Sequence, residues 1–327
     1  MMDASTVREC LGPGEEYDRW VAGLDHVAPT DGRFEHLSDA DLWQLLERLG
    51  VLPEDAKEIL ATRLRPDTDP ELWWLLVRCH AAIVGEMGRP DAAPPELPHL
   101  PESLGAKGRY FYAHVFLAAL PDALRYFRMR GIPDDIVWAT LADFGRQLAI
   151  YRRIHGRGGL DVQFWFVLHF RGLIYDLGRL QFNRATIDRD YGPDVPFRKG
   201  DFVLGVHIPE TGPMTPEACD ESFRRAKRFY ARYFPEEPYR YAMCTSWLLD
   251  EQLAEYLPED SNIVRFLRRF HLTSEEQEGD RSVFQFVFRR VNPDLDELPQ
   301  RTRLERAIVH HLRAGGHWKV RTGWLEL

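Results

Sequence analysis

Cysteine is scarce. The chain of 327 residues has four, Cys10, Cys79, Cys219 and Cys244, with no CxxC pair among them. That excludes a zinc ribbon or a disulfide scaffold as the organising device. Basic charge is also short: 42 Lys and Arg face 51 Asp and Glu, for a formal net charge of −9. The electrostatic footprint of a general nucleic-acid binder is therefore missing. No apolar run approaches the roughly 20 residues that a membrane helix needs; "FWFVLHF" is among the longest. The opening "MMDASTVRECLGPGEEYDRW" has no basic segment followed by an apolar one, so it does not read as a secretory signal. His155, His169 and His207 fall in no H-x-H or H-E-x-x-H pattern, and no metal site is expected. The expectation is a cytoplasmic protein with neither a membrane nor a nucleic acid as partner.

What is present is ordinary globular material, 44% hydrophobic and 28% charged, long enough for two domains. The first part reads as helical. "SDADLWQLLERLG" has Ser38 as N-cap and Leu42, Leu45, Leu46 and Leu49 at helical spacing. "PEDAKEILATRLRP" and "PELWWLLVRCHAAIVGEMG" each open on Pro. The proline-rich "RPDAAPPELPHLPESLGAKG" reads as a linker. "PDALRYFRMRG" and "PDDIVWATLADFGRQLAIYRRIHG" read as further helices opened by Pro and closed by Gly. At Gly156 the period changes. "VQFWFVLHF" and "LIYDLGRLQFNRATI" are rich in aromatic and β-branched residues and predict a hairpin, with Phe164, Phe166, Leu168 and Phe170 on one face. "DFVLGVHIP" is a third strand, 215–234 a helix, "RYAMCTSWLL" a fourth strand and "SNIVRFLRRF" a short helix. "RSVFQFVFRR" predicts a fifth strand, "LERAIVHHLRAGG" a helix and "HWKVRTGWLEL" a last strand. The pattern implies an α+β protein with a mixed sheet flanked by helices.

That order, with "DFVLGVHIP" running into "ETGPMT" and a helix, resembles the GCN5-related N-acetyltransferase (GNAT) fold. More closely, "GLIYDLGRLQF", "LGVHIPETGPMTPEACDESF", "CTSWLLDEQLAEYLPEDSNIVRF" and "FQFVFRR" resemble a bacterial family of acyltransferases with a helical N-terminal domain and a GNAT-like C-terminal domain. The resemblance implies a helical domain over 1–155 and a GNAT-like acyltransferase domain over 156–327. It also implies a pyrophosphate-binding loop after the central strand and a cleft for the pantetheine arm where the next strand splays away. Two departures stand out. The family loop Q/R-x-x-G-x-G/A is here "ETGPMTPEA", with one glycine, Gly212, and two prolines that supply no N–H. The Tyr that usual members carry as general acid is missing from "SNIVRFLRRF", where the aromatics are Phe266 and Phe270.

On this reading Thr215, Pro216 and Glu217 open a helix whose N-terminus attracts an anion. Ile208, Gly212, Met214, Thr215 and Asn262 are the candidate cofactor-binding residues, the cofactor being acetyl-CoA or another acyl-CoA as co-substrate. His207 or Glu210 would take the proton of an amine nucleophile, and Ser246 would assist the leaving thiolate. Cys244 is read as a small buried hydrophobe. The implied reaction is acyl transfer from acyl-CoA, or from an acyl carrier protein, to a small-molecule amine by direct attack. The alternative left open is a catalytically degenerate GNAT-like scaffold that binds a ligand or partner.

Overall fold

The computed structural model describes residues 3–30 and 37–327. The chain forms two compact units, the first ending at Tyr175 and the second beginning at Asp176. Among the described residues no helix is long and apolar enough to cross a membrane.

The first unit is helical: α1 (Ala4–Leu11), α2 (Glu15–Asp25), α3 (Asp39–Arg48), α4 (Pro53–Ala61), α5 (Pro70–Val84), α6 (Gly105–Arg130), α7 (Asp134–Leu141), α8 (Asp143–His155) and α9 (Gln163–Phe170). Ser38 caps α3 as its spacing predicts, its hydroxyl accepting the Asp41 N–H. Pro121 does not open a helix; it sits inside the 26-residue α6. The helix carries through because it is held by burial on both sides of the proline, all round over Tyr110–Phe116 and then at Ala119, Leu120, Ala123 and Phe127, which outweighs the hydrogen bond that a proline removes.

The larger correction concerns "VQFWFVLHF". It is helix α9, not a strand, and it belongs to the first unit. Gln163, Phe166, Val167 and Phe170 are buried, the i, i+3, i+4, i+7 set of a helix. Phe166 and Phe170 meet Phe116 and Phe144, whereas Phe164 is left 65% exposed.

A mixed sheet follows, all of it in the second unit but the first two residues of β1: β1 (Ile174–Asp176), β2 (Gln181–Thr186), β3 (Phe202–His207), β4 (Tyr241–Ser246), β5 (His271–Glu278) and β6 (Lys319–Glu326), in the order β1-β2-β3-β4-β6-β5. The hairpin expected from the aromatic run is made by "LIYDLGRLQFNRATI" alone, its turn closed by the Leu177 N–H to the Leu180 carbonyl. α10 (Pro216–Tyr233) links β3 to its parallel neighbour β4. α11 (Leu253–Tyr256), α12 (Asn262–Leu267), α13 (Asp280–Val283) and α14 (Arg303–Arg313) complete the unit. "RSVFQFVFRR" is not the fifth strand: it continues α13 through a π-helical stretch, Phe284–Phe288, and ends at Arg289 in the left-handed conformation. The fifth strand is instead the polar "HLTSEEQE", paired with β6.

Candidate functional site

The geometry of interest lies where β3 and β4 part. They pair in parallel through Val203–Tyr241, Leu204–Ala242 and Gly205–Met243, and no further. Both strands nevertheless continue, β3 to His207 and β4 to Ser246. Each stays bonded on its outer side, His207 opposite Gln181 of β2 and Ser246 opposite Arg321 of β6. The inner edges therefore diverge and present backbone N–H and C=O groups across a gap.

His207 closes β3 at the head of this gap. Its Nε2 lies 2.6 Å from Asn183 Oδ1 on β2. Glu210, three residues on, forms an ion pair with Arg289. Strand alternation puts His207 and Thr245 on one face and Ser246 on the other. The Ser246 hydroxyl accepts the Leu248 N–H at 3.1 Å, which caps a 3-10 turn at Trp247–Leu249. Thr245 bonds the Thr322 hydroxyl at 2.9 Å. Cys244 is buried, and burial pushes its thiol up to about 12, so it stays protonated and is a core residue, not a nucleophile.

The loop beyond His207 leads into α10. Thr215 is the N-cap, its hydroxyl accepting the Ala218 N–H at 3.3 Å, and Pro216 is the first helical residue. Gly212 has φ +124°, a conformation that favours glycine, and has open space where a side chain would begin. Ile208 and Met214 pack, partly buried, against the cluster that contains Trp247, Leu253 and Val264. Asn262 is the first residue of α12, and it is Ser261 that caps that helix by accepting the Val264 N–H. Phe266 and Phe270 are buried in the core.

Two cations at this loop escape a reading by motif. Arg179, in the β1–β2 turn, donates from Nη1 to the Pro209 carbonyl at 2.9 Å. Arg269, just past α12, donates to the Pro216 carbonyl at 3.1 Å and pairs with Asp220 in the first turns of α10. Their sequence separation from "ETGPMT" hides them; only the hairpin geometry brings Arg179 to the loop. Among the described residues no group of three or more His, Cys, Asp or Glu is placed to hold a metal ion.

Comparison with known proteins decides the family. Residues 40–172 match the N-acyltransferase N-terminal domain, and residues 174–325 match the GNAT-like C-terminal domain. Solved acyltransferase structures superpose over 100% of both chains, with a TM-score of 0.92 and 46% identity. The chain belongs to the N-acyltransferases with a GNAT-like C-terminal domain. The relatives of this acyltransferase include a substituted variant in complex with octanoyl-CoA and a protein in complex with decanoyl-CoA and teicoplanin. A third, also 46% identical over the full chains with a TM-score of 0.92, is in complex with CoA and 10C-teicoplanin. Among curated proteins none matches. The diverging strands β3 and β4 fall within the GNAT-like domain.

Proposed function

We propose that this acyltransferase moves a medium-chain acyl group from acyl-CoA to an amine of a teicoplanin-like small molecule. The parting of β3 from β4 beyond Gly205 and Met243 carries the reading. It offers the diverging strand edges to the two amides of a pantetheine arm, with His207 at the head of the gap and the N-terminus of α10 beyond it. The relatives support the donor and acceptor classes. Decanoyl-CoA with teicoplanin in one structure, and CoA with 10C-teicoplanin in another, are what the two sides of such a transfer would be.

The chemistry follows from the placement of each group. The pyrophosphate sits at the start of α10, where the helix dipole and the amides near Thr215 face an anion. Gly212 supplies one bare backbone position there, and Arg179 supplies positive charge in place of the missing glycine amides. Met214 and Asn262 flank the arm. The amine attacks the thioester carbon, and the Ile208 N–H steadies the oxygen as it gains charge. His207 takes the proton from the attacking nitrogen. The carbon–sulfur bond breaks, and Ser246, which accepts a hydrogen bond from Leu248 and keeps its own O–H, donates a hydrogen bond to the departing thiolate, while the proton held by His207 passes to the thiol or to solvent. His207 and Ser246 stand on opposite faces of the sheet, and a thioester lying in the gap between the strands is reachable from both.

The test is a donor series of acetyl-, octanoyl- and decanoyl-CoA, read by thermal shift and by release of free CoA thiol in the presence of an amine acceptor. A ligand that binds only the folded state stabilises it by RT ln(1 + [L]/Kd), so a true donor raises the melting temperature with dose. Arg179→Met should raise the KM for the donor and leave kcat nearly unchanged. Turnover only with a carrier-protein thioester would move the donor to that class, and no turnover with either would sink the proposal.

A further inference from the structure

We infer that Asn183 is a positioning residue for His207, and that Gly205 is glycine in order to admit it; this rests on the reading of His207 as the base. Asn183 lies on β2 directly opposite Gly205 of β3, and His207 is two residues further along β3 on the same face. The Asn183 side chain therefore lies across the strand toward the ring, where Oδ1 meets Nε2 at 2.6 Å.

Which amide atom faces the ring is settled by the other end of the group. Asn183 Nδ2 donates to the Arg184 carbonyl at 3.1 Å. Turning the amide over would set two carbonyl oxygens against each other at that separation. Oδ1 accepts only, so Nε2 must be the nitrogen that carries hydrogen. In the neutral imidazole the lone pair is then on Nδ1, and one tautomer is selected. Asn183 is 9% exposed, so water cannot readily substitute for it.

Gly205 has an ordinary strand backbone and no positive φ that would call for glycine. Glycine in a strand interior weakens it, and often marks a close approach. Here a Cβ on residue 205 would lie 2.0 Å from Asn183 Oδ1. A backbone oxygen held at that spot could not give way; the Asn183 amide could, but only by leaving His207. Gly205 thus reserves the volume that the amide occupies, which turns an apparent weakness of β3 into part of the site.

Asn183→Leu and Gly205→Ala should each lower kcat by roughly 10- to 100-fold, the order seen when a partner orienting a functional histidine is removed, with the donor KM little changed. Asn183→Asp keeps the acceptor oxygen for Nε2 but sets its second oxygen against the Arg184 carbonyl, so it should restore only part of the rate. Nitrogen NMR of the wild-type protein, above the ordinary imidazole pKa, should show His207 with hydrogen on Nε2, and this readout does not depend on any variant folding. Hydrogen on Nδ1 instead would overturn the inference. So would unchanged kcat in both Asn183→Leu and Gly205→Ala while His207→Ala is inactive, an outcome that leaves the base reading intact. Full activity of His207→Ala would remove the base reading and the inference together.

Discussion

Acid should loosen the first unit through one buried imidazole. His114 sits on α6, buried, with Nε2 at 3.1 Å from the Thr62 hydroxyl. That hydroxyl gives its own proton to the Glu58 carbonyl at 2.8 Å, so it serves His114 as acceptor, and the one N–H of the neutral ring is satisfied. The charged ring is not. Burial, and secondarily the Arg63 charge, lower His114 from the ordinary 6.5 to about 4. Between those two values the unfolded chain binds a proton that the folded protein refuses, so the folded state loses ground as the solution is acidified. The contribution is whole above the unfolded pKa and is lost as pH falls from 6.5 through about 4. At about 1.36 kcal/mol per pH unit the total is about 3 kcal/mol. His169, lowered by burial in the same way, adds in the same direction. The assay is urea unfolding at a series of pH values for the wild type and for His114→Gln, which keeps a hydrogen-bonding group but cannot take the charge. The wild-type free energy should fall more steeply below neutral, by up to about 1.36 kcal/mol more per pH unit than the variant's and by about 3 kcal/mol in all. Parallel curves would refute the argument that His114 is held neutral by its surroundings.

Other outcomes follow from single features. Cys244, with its thiol pushed up to about 12 by burial, should resist iodoacetamide in the folded protein, and Cys244→Ala should keep its turnover. Arg184 and Glu237 form a buried pair with Arg184 Nε at 2.8 Å from Glu237 Oε2. Glu237→Gln should therefore cost about 3–5 kcal/mol in denaturant unfolding, whereas replacing both partners by apolar residues should cost much less. Gly212→Ala meets no atom within 4 Å but adopts φ +124°, so its cost of about 1–3 kcal/mol should come from backbone strain, and should appear in stability before it appears in donor KM.

Where the sequence was readable, capping and short apolar runs between turn signals made it so. Thr215-Pro216 opens α10 and Ser261 opens α12 as their residue types demand. β3 and β4 do not alternate cleanly, since each buries consecutive residues, but as brief apolar stretches they are read as strands. The failures share one cause. In "VQFWFVLHF" and "VFQFVF" nearly every position is apolar, so neither a period of two nor one of 3.6 stands out, and aromatic content alone favoured strands. Tertiary packing made the choice, through Phe116 and Phe144 in the first case. β5 fails in the opposite sense. Among its eight residues only Thr273 is buried, and its glutamates sit at the edge of the sheet, Glu276 reaching Lys319 at 2.9 Å. Charge of that kind blunts an exposed edge and erases the apolar signature of a strand. At the site, His207 could be found from its place at a strand end, but Asn183 and Arg179 could not. Their relation to it exists only once β2 is laid against β3 and the hairpin turn is folded over Pro209.

The position of β6 sets an order of assembly. It lies between β4 and β5 and pairs with both, with Cys244 opposite Gly323 and His271 opposite Trp324. β4 and β5 both precede it along the chain, so on a growing polypeptide they wait as two unjoined edges until residues 319–326 have emerged. Contacts of such long sequence separation form slowly, and unpaired strand edges are the surfaces through which chains associate wrongly. The first unit, whose helices meet mostly near neighbours, carries no such delay. A nascent chain should therefore pass through a stage in which the helical unit is folded and the transferase sheet is still open on one side, and it is there that chaperone dependence and misassembly should concentrate.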